Sequence, residues 1–212
     1  MRVENKSSKF ASEFDAHSEF FDNALSYIDK PELLESVEVR LINNVPSKVT
    51  NNIPKREKKS KDDDFYPATE VLGYYTREDG KPLIYIAVDT IKSIADRSKI
   101  VSYFKNTLAK VLIHEFAHAR MDMNGENSKG GVNTWIEEAM ANLWTLETLE
   151  RASKTDKKFK TLFEFTKDFI KKQPENYAFW LKLYDMGIVF DERWQNSKAK
   201  IDEPFFFAVT DF

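Results

Sequence analysis

Between residues 98 and 123 apolar side chains recur at helical intervals: Phe104, Leu108, Val111, Leu112 and Phe116 share one stripe. That period predicts one long helix, with Ser98 placed to cap its start and Asn124-Gly125 to stop it. Upstream, residues 69–76 and 82–88 are rich in β-branched and aromatic residues. Asp79-Gly80 between them predicts a tight hairpin. The second run is almost continuously apolar, as in an interior strand buried on both faces. Val37, Val39 and Leu41 alternate with Glu38 and Arg40, which predicts a shorter strand. Phe10, Phe14, Phe20, Phe21, Leu25 and Ile28 space residues 10–29 like a helix that ends before Pro31.

Downstream, residues 124–133 carry three glycines and predict a loop. Helices are expected at 135–151, at 159–172 before Pro174, and at 175–186 before Gly187, a favourable residue just past a helix end. The last eight residues are apolar and expected to dock on the body. Residues 47–64 run basic and then acidic around Pro54 and predict a solvated loop. Strands first and helices after give an α+β class. The expected architecture is a small mixed sheet with an edge strand, packed on the long helix, and a mostly helical C-terminal part. A boundary near 150 would separate 1–150 from a helical subdomain at 151–212, the whole forming one compact domain.

Composition narrows the chemistry. With 212 residues, 42% hydrophobic and 17 Phe, the chain can bury a core. A formal charge of −3 gives no basic surface for nucleic acid, and no run approaches the length of a membrane span. The start, MRVENKSSKFASEF, shows no apolar signal segment. Together with the absence of cysteine, this leans towards a cytoplasmic setting. Zero cysteine also leaves metal chemistry to His, Asp and Glu.

Of three histidines, two fall in His114-Glu115-Phe116-Ala117-His118, inside the long helix. Histidines four apart lie on one face and can converge on a single Zn²⁺. Glu115, about 100° round the helix, flanks such a metal and suits a general base acting on its water. A third protein ligand is needed, and His17 sits far away in the N-terminal segment, where it reads as a packing residue. Glu137 and Glu138 remain. Thr134-x-x-Glu137 fits a capping box, giving Glu137 a helix-end role and leaving Glu138 for the metal. Asn142, four residues on from Glu138, is placed to bond the far nitrogen of a ligating histidine.

The H-E-x-x-H pair followed by Glu twenty residues later, in the helix W-I-E-E-A-x-A-N, resembles the gluzincins, the thermolysin-like and aminopeptidase-like zinc metallopeptidases. The hairpin Gly73-Tyr74-Tyr75 … Ile84-Tyr85-Ile86 resembles their compact members, the minigluzincins. The resemblance covers roughly residues 70–150. It implies a zincin-like fold, one Zn²⁺ per chain held by His114, His118 and Glu138, and Asn142 where many relatives carry Asp. It also implies a Tyr or His that steadies the oxyanion, for which Tyr177, Tyr184 and Arg193 are the candidates and Tyr184 the preferred one. In zincins an edge strand forms the cleft floor. Here that implies that residues 70–76, with Gly73, Tyr74 and Tyr75, bind a peptide or protein substrate by strand addition.

The expected activity is peptide-bond hydrolysis by a metal-activated water with Glu115 as base. Two alternatives stay open: a zinc-binding module with little catalysis, and a zinc hydrolase of a non-peptide amide.

Overall fold

The computed structural model describes residues 1–5, 8–46, 71–98, 100, 102–123, 134–173, 181, 184 and 185. It is a mixed α+β fold. Four strands, β1 (Arg2–Asn5), β2 (Glu38–Ile42), β3 (Gly73–Glu78) and β4 (Lys81–Ala87), form one sheet in the order β1-β2-β4-β3. The first three in that order run parallel, and β3 closes the sheet as an antiparallel edge. The helices are α1 (Ala11–Asp15), α2 (Ser18–Leu25), α3 (Leu33–Ser36), α4 (Val88–Ser98), α5 (Tyr103–Met123), α6 (Thr134–Thr155) and α7 (Lys160–Lys171). A 3-10 turn at Lys157–Phe159 leads into α7.

The Asp79-Gly80 turn sets the sheet. Both residues have positive φ, 51° and 77°, as the two-residue hairpin turn that matches strand twist requires. From this turn the ladder alternates. Arg77 faces Pro82, which has no N–H to give, and that pair falls at a non-hydrogen-bonded step. Gly73 and Tyr75 occupy equivalent steps, so their amides point away from β4.

Strand parity then divides the sheet. Val39, Leu41, Ile84 and Ile86, none of them exposed, share the face packed on α5 with Gly73 and Tyr75. On the other face Arg40 binds Glu38 at 2.6 Å, Glu78 at 2.9 Å and the Tyr85 hydroxyl at 2.9 Å. Tyr74 stacks on Tyr85 there at 4.8 Å between ring centres.

α5 is buried almost throughout, between the sheet on one side and α6 and α7 on the other. Ala139 and Ala141 on α6 are wholly buried and small, which lets the two helices approach. The N-terminal segment is tied to this pair: Trp144 Nε1 donates to Asp29 at 2.9 Å, and Arg120 lies 3.5 Å from the same carboxylate.

Several sequence expectations are revised. The 10–29 helix is two helices, because the amide of His17 bonds Phe14 O and tightens the turn. The long helix starts at Tyr103, five residues late. Ser98 instead ends α4, its hydroxyl bonding Ala95 O and accepting from Ile100 N. α4 itself, with Val88, Ile91 and Ile94 buried, and the four-residue β1 had no counterpart in the sequence reading. The boundary at 150 falls inside α6, and Phe159 and Leu162 belong to the same core as the sheet. The 47–64 and 124–133 loops, most of the 175–186 helix, the apolar tail, Tyr177 and Arg193 lie outside the described residues, as does the Thr134 side chain.

Candidate metal centre

His114 and His118 stand one turn apart on α5, with ring centres 5.0 Å apart and planes at 79°. Glu138 enters from the first turns of α6. Its Oε2 lies 3.0 Å from His114 Nε2 and its Oε1 lies 3.4 Å from His118 Nε2. One ligating atom from each residue falls within 4.8 Å of the others. Four-coordinate zinc with bonds of about 2.0–2.1 Å sets its ligand atoms roughly 3.3 Å apart. The three donors therefore fit that ion, and a His₂Glu set leaves a fourth position. Glu137, next in the chain, is not part of the group.

The electrostatics pull these residues apart. Burial lowers His114 to about 4, and the Lys110 charge adds to the effect. Burial also lowers His118, but the Glu138 carboxylate and its hydrogen bond outweigh it and raise the ring to about 9. Glu138 is held well below the usual carboxylate range: burial opposes this, while His118 and the bonds to both rings prevail.

Glu115 is 6% exposed and lies beside the group on the sheet side. Burial raises its carboxyl to about 7, while the charges of His118 and Lys110 and a hydrogen bond from the Tyr75 backbone amide pull the other way. That amide is one of those on the side of β3 that no described strand occupies. Gly73 lies just behind: a Cβ there would sit 2.7 Å from Val111 Cγ1 and 3.2 Å from Glu115 Cγ. β3 is pinned further along α5, where Tyr75 Oη donates to Asp122 Oδ2 at 2.5 Å and Arg77 Nε binds the same oxygen. Gly73 and Tyr75 thus adjoin the site, whereas Tyr74 turns to the opposite face.

Two expected members stand elsewhere. Tyr184 hydrogen-bonds Glu150, twelve residues beyond Glu138 on α6, and packs with Phe163. Twelve helical residues span about 18 Å, so Tyr184 is not an oxyanion group for this centre. Asn142 Nδ2 donates to Gln173 Oε1 at 2.8 Å, while the buried His114 Nδ1 has no hydrogen-bond partner among the described residues. Asn142 therefore braces α6 against the end of α7 and does not orient His114. His17 packs beside Phe21 and Phe104, away from the centre.

Sequence reasoning passed over Lys110. It is 5% exposed, one turn before His114 on the same helix, and its ammonium lies 4.7 Å from the Phe169 ring centre. The signal was present, since Lys110, His114 and His118 are spaced four and four. Asp122 was likewise unread, although it continues that row.

Comparison with protein-family models, with curated proteins and with solved structures gives no match. The residues alone carry the functional argument. Among the described residues, no helix is long and apolar enough to cross a membrane.

Proposed function

We propose that this chain is a zinc-dependent metallopeptidase of the gluzincin type, built on a zincin-like arrangement of edge strand, active-site helix and Glu-bearing helix. The observation that carries the reading is the convergence of His114, His118 and Glu138 within 4.8 Å beside a buried Glu115. Bound there, zinc would polarise a carbonyl and lower the pKa of a water towards 7.

The chain's own residues supply the rest. Glu115 accepts a proton at a carboxylate oxygen from the attacking water and returns it to the leaving amine. The Tyr75 amide keeps the Glu115 carboxylate turned towards the cleft. Along β3 the outward carbonyls and amides other than that of Tyr75 are offered to an extended peptide, which would add as a further strand. Asp122, holding Tyr75 and Arg77, fixes that strand on α5.

Glu115→Gln tests this. The amide preserves shape but cannot take a proton, so the variant should keep one zinc per chain while peptide hydrolysis falls about 10²–10⁴-fold. Metal analysis and mass-spectrometric digests of a peptide library read both quantities. A zinc-loaded wild type that cleaves no peptide, or a variant that cleaves as fast, would sink the proposal and favour a non-catalytic zinc module.

A further inference from the structure

Lys110 has no role in the chemistry above. It is buried, with 5% of its surface exposed. Among the described residues its ammonium has no hydrogen bond and no ion pair, only the face of Phe169 at 4.7 Å. Burying an ammonium without an acceptor is costly, and a ring face offsets only part of that cost. Its charge acts on Glu115, Glu138 and His114, the last of them one turn along the same helix, and it bonds none of the three.

Charge counting sharpens the point. With a divalent cation at the centre, Glu138 and an ionised Glu115 together offset that ion. Among the described residues no other carboxylate is then seen acting on Lys110, and its positive charge is left over. A bound anion would remove it.

Position says which anion. Lys110 precedes His114 by four residues, a rise of about 6 Å along the helix, and precedes His118 by about 12 Å. Helical side chains also lean towards the N-terminus, carrying the ammonium farther from the metal ligands. The oxygen of the bond being cut, which must sit at the metal, is out of its reach. A group about 6 Å away along the substrate is within reach, and extended peptide advances about 3.3–3.6 Å per residue.

We propose that Lys110 binds a substrate carboxylate one or two residues from the scissile bond, making this centre selective for peptides that carry a negative charge there. The carboxylate can be a chain-terminal one or an Asp or Glu side chain. The proposal rests on the metallopeptidase reading for the nature of the substrate, but anion binding can be measured without turnover.

The test uses zinc-loaded Glu115→Gln protein, immobilised and offered three mixtures of acetylated pentapeptides randomised over neutral residues. One mixture ends in a free carboxylate, one in an amide, and one in an amide with a single Glu. Retention is quantified by mass spectrometry. Hydrogen bonds between charged groups predict that a carboxylate mixture is retained about tenfold to a hundredfold over the neutral amide. Enrichment of the first mixture alone identifies the chain terminus, and of the third alone a side chain. Adding Lys110→Met, or Lys110→Gln should the first variant fold poorly, should bring the ratio close to one, with zinc content and melting as controls. Equal retention, no retention, or a preference that survives loss of the lysine overturns the proposal. Retained preference in a protein whose wild type cleaves nothing would uphold the anion site and reject the peptidase reading instead. Cleavage without charge preference would do the reverse.

Discussion

Burial holds the Lys110 ammonium down to about 8, against the pull of the Glu115 and Glu138 carboxylates. In an unfolded chain a lysine keeps its proton to about 10.4. Between these values the unfolded state binds more protons than the native one, so the lysine's penalty fades and stability rises with pH through that window. Lys110→Met should therefore be the more stable protein at pH 7, by an amount on the order of 3 kcal/mol, and should lose its advantage by pH 10.5. Urea unfolding of both chelator-treated proteins at several pH values checks this; a constant difference would mean that the ammonium is not desolvated. The same residue shows where reading the sequence stopped. His114, Glu115 and His118 were legible because their chemistry demands fixed spacing on one helix. Helix-end logic favoured Glu138 over Glu137, and Glu138 is the one that meets both histidines, while the Thr134 cap on which that logic rested lies outside the described side chains. Lys110 was not legible, because a lysine in a helix reads as solvated until Phe169 of α7 is seen to lie against it. Tyr184 was misplaced for the converse reason: its spacing showed a helix face but not which neighbour that face would meet.

On the proposed reading β3 aligns the substrate, and at Gly73 this strand lies close against α5. A methyl group there meets Val111, the Tyr85 carbonyl and Glu115 at once, at 2.7, 3.1 and 3.2 Å. Since the added methyl presses on Glu115 as well as Val111, and Glu115 accepts from the Tyr75 amide, Gly73→Ala should harm the site more than the fold. Overpacking of this kind costs about 1–3 kcal/mol. The expected outcome is a modest loss in thermal stability with zinc stoichiometry intact and a larger fall in peptide turnover. Unaltered turnover would show that β3 can retreat from α5 without consequence. The elements themselves were largely legible: β2, β3, β4, α5, α6 and α7 follow from periodicity, turn residues and caps. β1 was not, because four residues with Val3 as their one apolar side chain carry no pattern, and its pairing to β2 is a tertiary fact. α4 follows β4 without a break, so its apolar spacing merged with the strand before it.

At the scale of the whole molecule, the centre joins α5 to α6, and through them the sheet to the C-terminal helices. Zinc that binds only the native form at a thousandfold over its Kd adds about 4 kcal/mol. In a domain of this size each kcal/mol moves Tm by about 2–4 °C, so chelation should lower Tm by roughly 8–16 °C and zinc should restore it. Calorimetry with and without chelator reads the shift, and an unchanged Tm after verified metal removal would reject a centre that bridges these elements. The two-residue turn at Asp79-Gly80 also bears on how such a chain can change in length. Every side chain on β3 is assigned to a face by counting back from that turn. A single-residue insertion or deletion there inverts the count, sending Gly73, Tyr75 and Arg77 outwards and pressing Tyr74 and Glu78 onto α5. Length changes at the tip are thus tolerable in pairs and ruinous singly. Lineages that lengthen this hairpin must do so by even steps or absorb the odd residue in a bulge.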